Sequence, residues 1–71
     1  MAEAALRNRL KDIRSELGLT QAELAERVNV SRKTINTVEN SVFIPSTILA
    51  LRLAAALKRR VEDIFYLAPQ R

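Results

Sequence analysis

The chain has 71 residues, of which 48% are hydrophobic and 28% charged, and 12 Lys and Arg against 8 Asp and Glu give a net charge of +4. The absence of Cys and His excludes disulfides and leaves an ordinary zinc site without its usual ligands. The longest nearly apolar run, Ile48 to Leu57, is too short to span a bilayer, which needs roughly 20 residues. We therefore expect a single cytoplasmic domain over residues 1–71, with no metal, cofactor or membrane partner.

Leu, Ala, Arg and Glu dominate the composition and only 1 Gly is present, which favours helices and predicts almost no strand. Apolar residues recur at the spacing of one helical face at Leu6, Leu10, Ile13 and Leu17. This spacing predicts a first helix over that segment. Gly18 follows directly, and a left-handed glycine at this position would end the helix.

Two short helices are predicted next, over Gln21–Val28 and Arg32–Asn40. Thr20, followed three residues later by a glutamate, is typical of a capping box at the start of the first of them. Asn29 tolerates left-handed backbone and ends that helix, and Ser31 caps the next. Because so few residues separate the two helices, the predicted layout is a helix-turn-helix.

The segment from Ser41 to Pro45 is predicted to be a loop, because proline disfavours helical backbone at the residue before it. Ser46 then caps a fourth helix that runs to about Leu57, and a final helical turn, Val61 to Tyr66, closes the chain. The sequence therefore predicts an all-α fold of five helices, in which helices 2 and 3 form the helix-turn-helix.

Basic charge is concentrated around the third predicted helix. Residues 27–38 carry three positive charges and no acid. A helix N-terminus presents free N–H groups and the positive end of the helix dipole, so Ser31 to Thr34 is where a phosphate or base edge would bind. Arg and Lys can reach guanine O6 and N7, and a Thr methyl group can contact thymine. Taken alone, these residues would fit a solvated polar face about as well, and only the fold context favours DNA.

The run GLTQAELAERVNVSRKTINTVEN, then PS before the fourth helix and VEDIF after it, resembles the Xre/Cro family of phage and bacterial repressors. The similarity runs from about Leu10 to Phe65 and so covers most of the chain. The resemblance implies a compact Cro/repressor-like domain that binds a double-stranded DNA operator as a homodimer and regulates transcription. It also implies a nucleoid-associated location.

The resemblance assigns roles to individual residues. Gln21 matches a glutamine that holds a phosphate and braces the first side chain of the recognition helix. The family positions that point at base edges, or flank them, are occupied here by Arg32, Lys33, Thr34, Thr37 and Asn36. Asn40 begins a loop that in the family presents backbone N–H groups to phosphates, and Ser31 completes the expected DNA-binding set. Family members usually carry Gly at or just after Asn40 and at Lys58, and this chain does not.

Arg14 and Glu39 match a family pair in which an arginine of the first helix forms a salt bridge with a glutamate at the end of the recognition helix. We interpret this pair as structural. If it is buried, removing one member costs about 3 to 5 kcal/mol, because the other is left charged and unpaired. If it is exposed, the loss is below about 1 kcal/mol.

The fourth predicted helix has two apolar stripes, one for the core and one at Ile48, Leu51 and Ala55. Phe65, Tyr66 and Leu67 follow just beyond the last turn. A helix that is apolar nearly all round is normally buried all round, and an exposed apolar patch marks an interface. These residues are therefore the predicted interface of a two-fold dimer, which would set two recognition helices about 34 Å apart on a pseudo-palindrome. The alternative is that Phe65 and Tyr66 fold back into the core.

Three other classes of function fit the sequence less well than DNA regulation. An enzyme is disfavoured, because the chain offers no His, no Cys and no Gly-rich phosphate loop. An antitoxin with the same fold would bind a protein partner as well as DNA, so an unidentified protein partner stays open. Single-stranded nucleic acid or RNA binding would require exposed aromatic residues among the basic ones, and the three aromatic residues do not form such a platform.

Overall fold

The computed structural model describes residues 5–68, which form five helices and one small sheet. In chain order the elements are β1 (Leu6–Asn8), α1 (Leu10–Glu16), α2 (Gln21–Val28), α3 (Arg32–Glu39), α4 (Thr47–Leu57), α5 (Val61–Ile64) and β2 (Phe65–Leu67). The predicted five-helix, all-α class is confirmed, with the sheet as a minor addition. Within residues 5–68, no helix is long and apolar enough to cross a membrane.

Side chains cap the starts of three helices as predicted. At α2, the Thr20 hydroxyl accepts the Glu23 N–H at 3.0 Å, and the Glu23 carboxylate accepts the Thr20 N–H at 2.8 Å. The hydroxyls of Ser31 and Ser46 each accept the N–H of the residue three positions on, both at 3.1 Å. These caps satisfy helix N–H groups that lack partners inside the helix, so local sequence fixes where the helices begin.

Helices α1 to α4 each end at a residue with left-handed backbone. These residues are Gly18, Asn29, Ser41 and Lys58, with φ of 71°, 61°, 60° and 56°. At each of them the next N–H donates to the carbonyl five residues back, as from Leu19 to Arg14 at 3.0 Å, which is the Schellman arrangement. Only the first is glycine, and an ordinary L-residue in this conformation costs roughly 1 to 2 kcal/mol.

The core is a single cluster to which α1 to α5 and β2 all contribute. Its buried side chains are Leu10, Ile13, Leu24, Ala25, Val28, Ile35, Val38, Leu49, Leu53, Ala54, Leu57, Ile64 and Phe65. The α2 helix packs against both α3 and α4. The core therefore fixes the angle at which α3 is presented to solvent.

The first helix and the last turn differ from their predicted bounds. Leu6 is not helical, because β1 pairs antiparallel with β2 and places Leu6 opposite Leu67. Asn8 sets the start of α1, since its Oδ1 accepts the Leu10 N–H at 3.1 Å. The last turn ends at Ile64, and the following residues enter the sheet. Apart from these two short strands, the expectation of almost no strand holds for residues 5–68.

Phe65 was predicted at the dimer interface, and its side chain is instead buried in the core with 8% exposure. Phe65 and Tyr66 differ because successive side chains of a strand point to opposite faces, and Phe65 packs in the core cluster, whereas Leu67 at the end of the strand is exposed. Tyr66 accordingly stays outside with 43% exposure, and the guanidinium carbon of Arg9 lies 5.5 Å from the centre of its ring. The core alternative was therefore right for Phe65 and wrong for Tyr66.

Candidate nucleic-acid interface

The helix-turn-helix is formed by α2, a turn from Asn29 to Ser31, and α3. Ala25 of α2 is 3% exposed, and its small side chain lets the two helices pack closely. Ile35 and Val38 of α3 are fully buried, and Val30 of the turn packs against the same cluster. One face of α3 packs in the core, so the opposite face is exposed to solvent and accessible to a partner.

The outward face of α3 forms a shallow groove of about 420 Å³, lined by Arg32, Lys33, Asn36 and Thr37. Four of the predicted DNA-binding residues therefore lie together on one surface. Arg32 and Lys33 are exposed at the start of α3, and among residues 5–68 no carboxylate pairs with either. Their charges are available to an anionic partner.

The uncharged polar side chains of α3 are already hydrogen-bonded within the helix. The Ser31 and Thr34 hydroxyls lie 2.9 Å apart, and the Thr37 hydroxyl donates to the Thr34 carbonyl at 2.9 Å. The Asn40 amide donates to the Asn36 side-chain oxygen at 2.6 Å. Arg32 and Lys33 are the residues of this face whose side chains make no hydrogen bond within the described chain.

The loop after α3 does not present its backbone N–H groups outward. The N–H of Asn40 donates to Asn36 at 3.1 Å and that of Ser41 to Val38 at 3.0 Å. The next two N–H groups both donate to the Thr37 carbonyl, at 2.9 and 3.2 Å. The expectation of free phosphate-binding N–H groups in this loop is therefore wrong, because the Schellman end of α3 uses them. The side chain of Ser41 is exposed, and so is that of Asn40, whose amide already donates to Asn36.

A largely buried ion pair joins α1 to the end of α3. Arg14 Nε donates to Glu39 Oε2 at 2.6 Å and Arg14 Nη2 donates to Oε1 at 3.3 Å, and the two side chains are 12% and 3% exposed. Arg14 Nη1 also donates to the Leu19 carbonyl at 2.8 Å. The pair sequesters the single acid of α3 away from the basic face, so the outward surface of the helix carries only positive charge.

Gln21 is bonded to the same carboxylate, with its Nε2 donating to Glu39 Oε1 at 3.0 Å. Because a carboxylate only accepts, the amide nitrogen of Gln21 must face Glu39. Its second N–H and its carbonyl oxygen remain for other partners. The start of α2 is thereby tied to the end of α3.

Two further residues near the interface are notable. No role was predicted for Asn8 from the sequence. Its Nδ2 donates to the Val38 carbonyl at 2.9 Å, which connects β1 to the end of α3. The only sequence signal for this role of Asn8 was a single asparagine just before an apolar helix.

In the capping box of α2, the Thr20 backbone N–H lowers the pKa of the Glu23 carboxyl, with a smaller effect of the Thr20 hydroxyl.

A second set of exposed side chains, outside α3, is apolar. Ile48, Leu51 and Leu67 are 64%, 55% and 66% exposed, and Ala55 and Tyr66 are also exposed. The loop before α4 adds Val42, Phe43 and Ile44, which are 76%, 47% and 72% exposed and were not assigned to an interface from the sequence. Apart from buried Phe65, the predicted dimer residues therefore all lie on the surface.

An exposed basic helix held by its core face across a tight turn defines a helix-turn-helix DNA-binding protein. A family profile described as Helix-turn-helix matches residues 10–64. The chain belongs to this family, which confirms the predicted Xre/Cro-type membership.

The curated relatives are small regulators of similar length. One from Methanothermobacter thermautotrophicus, named an uncharacterized HTH-type transcriptional regulator, is 54% identical over 63 residues, covering 87% of this chain and 91% of the relative. Another of that description, from Bacillus subtilis, is 36% identical over 62 residues, covering 87% and 94%. The chain is thus related to transcriptional regulators.

Solved structures show the same fold. The restriction-modification controller protein C.AhdI from Aeromonas hydrophila is 31% identical with a TM-score of 0.74, covering 78% of this chain and 83% of that one. A putative DNA-binding protein from Bacteroides fragilis has a TM-score of 0.79 at 24% identity, covering 86% and 98%, and shows the fold alone.

Proposed function

We propose that this chain acts as a single-domain transcriptional repressor, nucleoid-associated, that binds a pseudo-palindromic operator as a homodimer. One recognition helix, α3, would enter the major groove of each half-site. The observation that carries this proposal is the outward face of α3, on which Arg32 and Lys33 are exposed without acidic partners among residues 5–68.

The proposed contacts are of two kinds: those to base edges, and those that contact phosphates or flank the bases. Arg32 and Lys33 reach guanine edges, and Thr37, whose hydroxyl is bonded to the backbone, offers its methyl group to thymine. Gln21 uses its second amide N–H on a phosphate, and Ser31, Thr34, Asn36 and Asn40 set the flank of the contact. Phosphate contacts fix the register of the protein, and base contacts carry the sequence preference.

Dimerisation is proposed through the exposed stripe of α4 together with β2. Ile48 and Leu51 are more than half exposed, and they would be covered by the same residues of a second copy. Tyr66 and Leu67 extend the contact, whereas Phe65 supports it from the core. A two-fold axis here would relate two α3 helices and would explain an inverted repeat in the operator.

The first experiment is selection of bound sequences from random duplex DNA, followed by titration of the selected site at several salt concentrations. The expected result is an inverted repeat with half-site centres about 10 base pairs apart. A reporter driven by a promoter that contains the site should lose expression when the protein is present. Binding that shows no sequence preference and depends steeply on salt would indicate electrostatic attraction to phosphates alone. That result would refute specific recognition.

The dimer is tested with Leu51→Glu, which places a charge in the stripe, and with Leu17→Glu as a matched control. Leu17 is 45% exposed at the end of α1 and lies outside the proposed interface. Sedimentation should show a monomer for Leu51→Glu and a dimer for Leu17→Glu. A dimer in both variants would rule out this interface.

A further inference from the structure

A second groove runs along the contact between α2 and α4. It consists of two adjoining depressions of about 480 and 350 Å³ that share Arg27 and Ala56, and we name it the α2–α4 groove. Its basic lining residues are Arg27, Arg52, Lys58 and Arg59. No acid lines either depression, although the chain has 8 Asp and Glu. The groove shares no residue with the one on α3, so it is a separate basic surface.

The charges of this groove are not consumed by ion pairs inside the described part of the chain. Only Arg59 is paired there, with Glu16 at 2.7 Å, and that pair is half exposed. Arg27 and Lys58 lie at the C-terminal ends of α2 and α4, where a positive charge offsets the helix dipole. Arg52 lies in the middle of α4, where the dipole offers no such explanation.

The floor between the basic residues is apolar. Ala55 and Ala56 of α4 and Leu19 after α1 contribute to it. A phosphodiester backbone gains nothing from an apolar floor, whereas an amphipathic acidic helix would place leucines on the floor and carboxylates against the rims. The 11 residues of α4 extend over about 16 Å, which matches about three turns of a helical segment.

We propose that the α2–α4 groove docks an acidic, amphipathic helical segment of a protein partner. The partner would bind a surface other than α3, so the regulator could hold it while bound to DNA. Ala55 also belongs to the proposed dimer stripe, so the groove borders that interface without using Ile48 or Leu51.

The test is an NMR titration of the ¹⁵N-labelled protein with two synthetic peptides of equal charge. One is a Glu/Leu peptide of about 12 residues with leucines at helical spacing, and the other has glutamine in place of leucine. The Glu/Leu peptide should shift the amide signals of Arg27, Arg52 and Ala56 and leave those of α3 unchanged. The leucine-free peptide should bind at least about tenfold more weakly, because leucine burial is lost.

Charge is tested with the double variant Arg27→Gln/Arg52→Gln and a control, Arg7→Gln/Arg60→Gln, which removes the same charge outside the groove. The groove variant should weaken binding of the Glu/Leu peptide about fivefold to tenfold, and the control by less than about twofold. Thermal unfolding confirms that both variants fold. Sedimentation should be unchanged for the groove variant, and its operator affinity should fall no more than that of the control, which loses the same charge.

Four results would each overturn the proposal. They are equal weakening in the two double variants, equal binding of the two peptides, a larger loss of operator affinity in the groove variant than in the control, and a change in its oligomeric state. The third would make the groove a DNA contact, and the fourth a contact with a second copy. Because the peptide titrations require no DNA, their failure is distinguishable from failure of the proposed function.

Discussion

Removing Glu39 is the sharpest test of how the recognition helix is held. In Glu39→Ala, Arg14 loses two hydrogen bonds, at 2.6 and 3.3 Å, and Gln21 loses one at 3.0 Å. Arg14 is only 12% exposed and keeps a single bond, to the Leu19 carbonyl. An unpaired buried charge costs about 3 to 5 kcal/mol, and the retained bond places the expected loss near 3 kcal/mol.

The measurement is urea unfolding followed by circular dichroism. For a small domain the slope is about 1 kcal/mol per molar urea, so the midpoint should fall by about 3 M. Glu16→Ala is the matched control, because it removes a carboxylate from an arginine at the same kind of distance, 2.7 Å, in a pair that is 35% and 62% exposed. That variant should lose less than about 1 kcal/mol.

A third variant separates the net contribution of the ion pair to stability from the cost of leaving one partner unpaired. Replacing both partners, as in Arg14→Leu/Glu39→Leu, leaves no unpaired charge and should recover most of the stability lost in Glu39→Ala. The reasoning is refuted if Glu39→Ala and Glu16→Ala lose the same free energy of unfolding, or if the double variant is less stable than Glu39→Ala.

Three further predictions concern recognition, helix ends and pH. Arg32→Ala should lose about 1 to 3 kcal/mol of affinity for the selected operator and little for random duplex; equal losses on both would make Arg32 a phosphate contact. Lys58→Gly should raise the free energy of unfolding by about 1 kcal/mol, because glycine adopts the φ of 56° without strain, and an unchanged urea midpoint would contradict this. The Glu23 carboxyl should titrate by NMR below its ordinary pKa, because the Thr20 N–H stabilises its charged form. Its stabilising contribution is then present above the unfolded-state pKa and is lost as pH falls through the folded one, and a pKa that is not lowered would refute this capping role.

Local rules predicted most of this molecule. Thr20, Ser31 and Ser46 cap helices, and Gly18 and Asn29 end them, because each acts on backbone groups within a few residues. These cap and stop signals are short in range and need no knowledge of the rest of the fold. The DNA-binding residues of α3 were instead assigned from the resemblance to the Xre/Cro family, and four of them line one groove.

What the sequence did not predict depends on contacts between distant segments. The pairing of β1 with β2 joins residues near opposite ends of the chain, and neither strand has an alternating pattern long enough to mark it. The burial of Phe65 follows from that pairing. The internal bonding of the loop N–H groups depends on the left-handed backbone at Ser41, a residue that rarely adopts it.

The small sheet also makes the two ends of the domain interdependent. The Arg9 N–H donates to Ile64 at 2.7 Å and the Ala68 N–H to Ala5 at 2.8 Å, so each segment is the hydrogen-bonding partner of the other. Asn8, in the first of them, donates to the Val38 carbonyl near the end of α3. Shortening the chain after Ile64 would therefore remove the core side chain of Phe65, release Asn8 and weaken the support of α3, without altering any side chain on the outward face of α3. Amide protons of both strands should accordingly exchange with solvent as one cooperative unit.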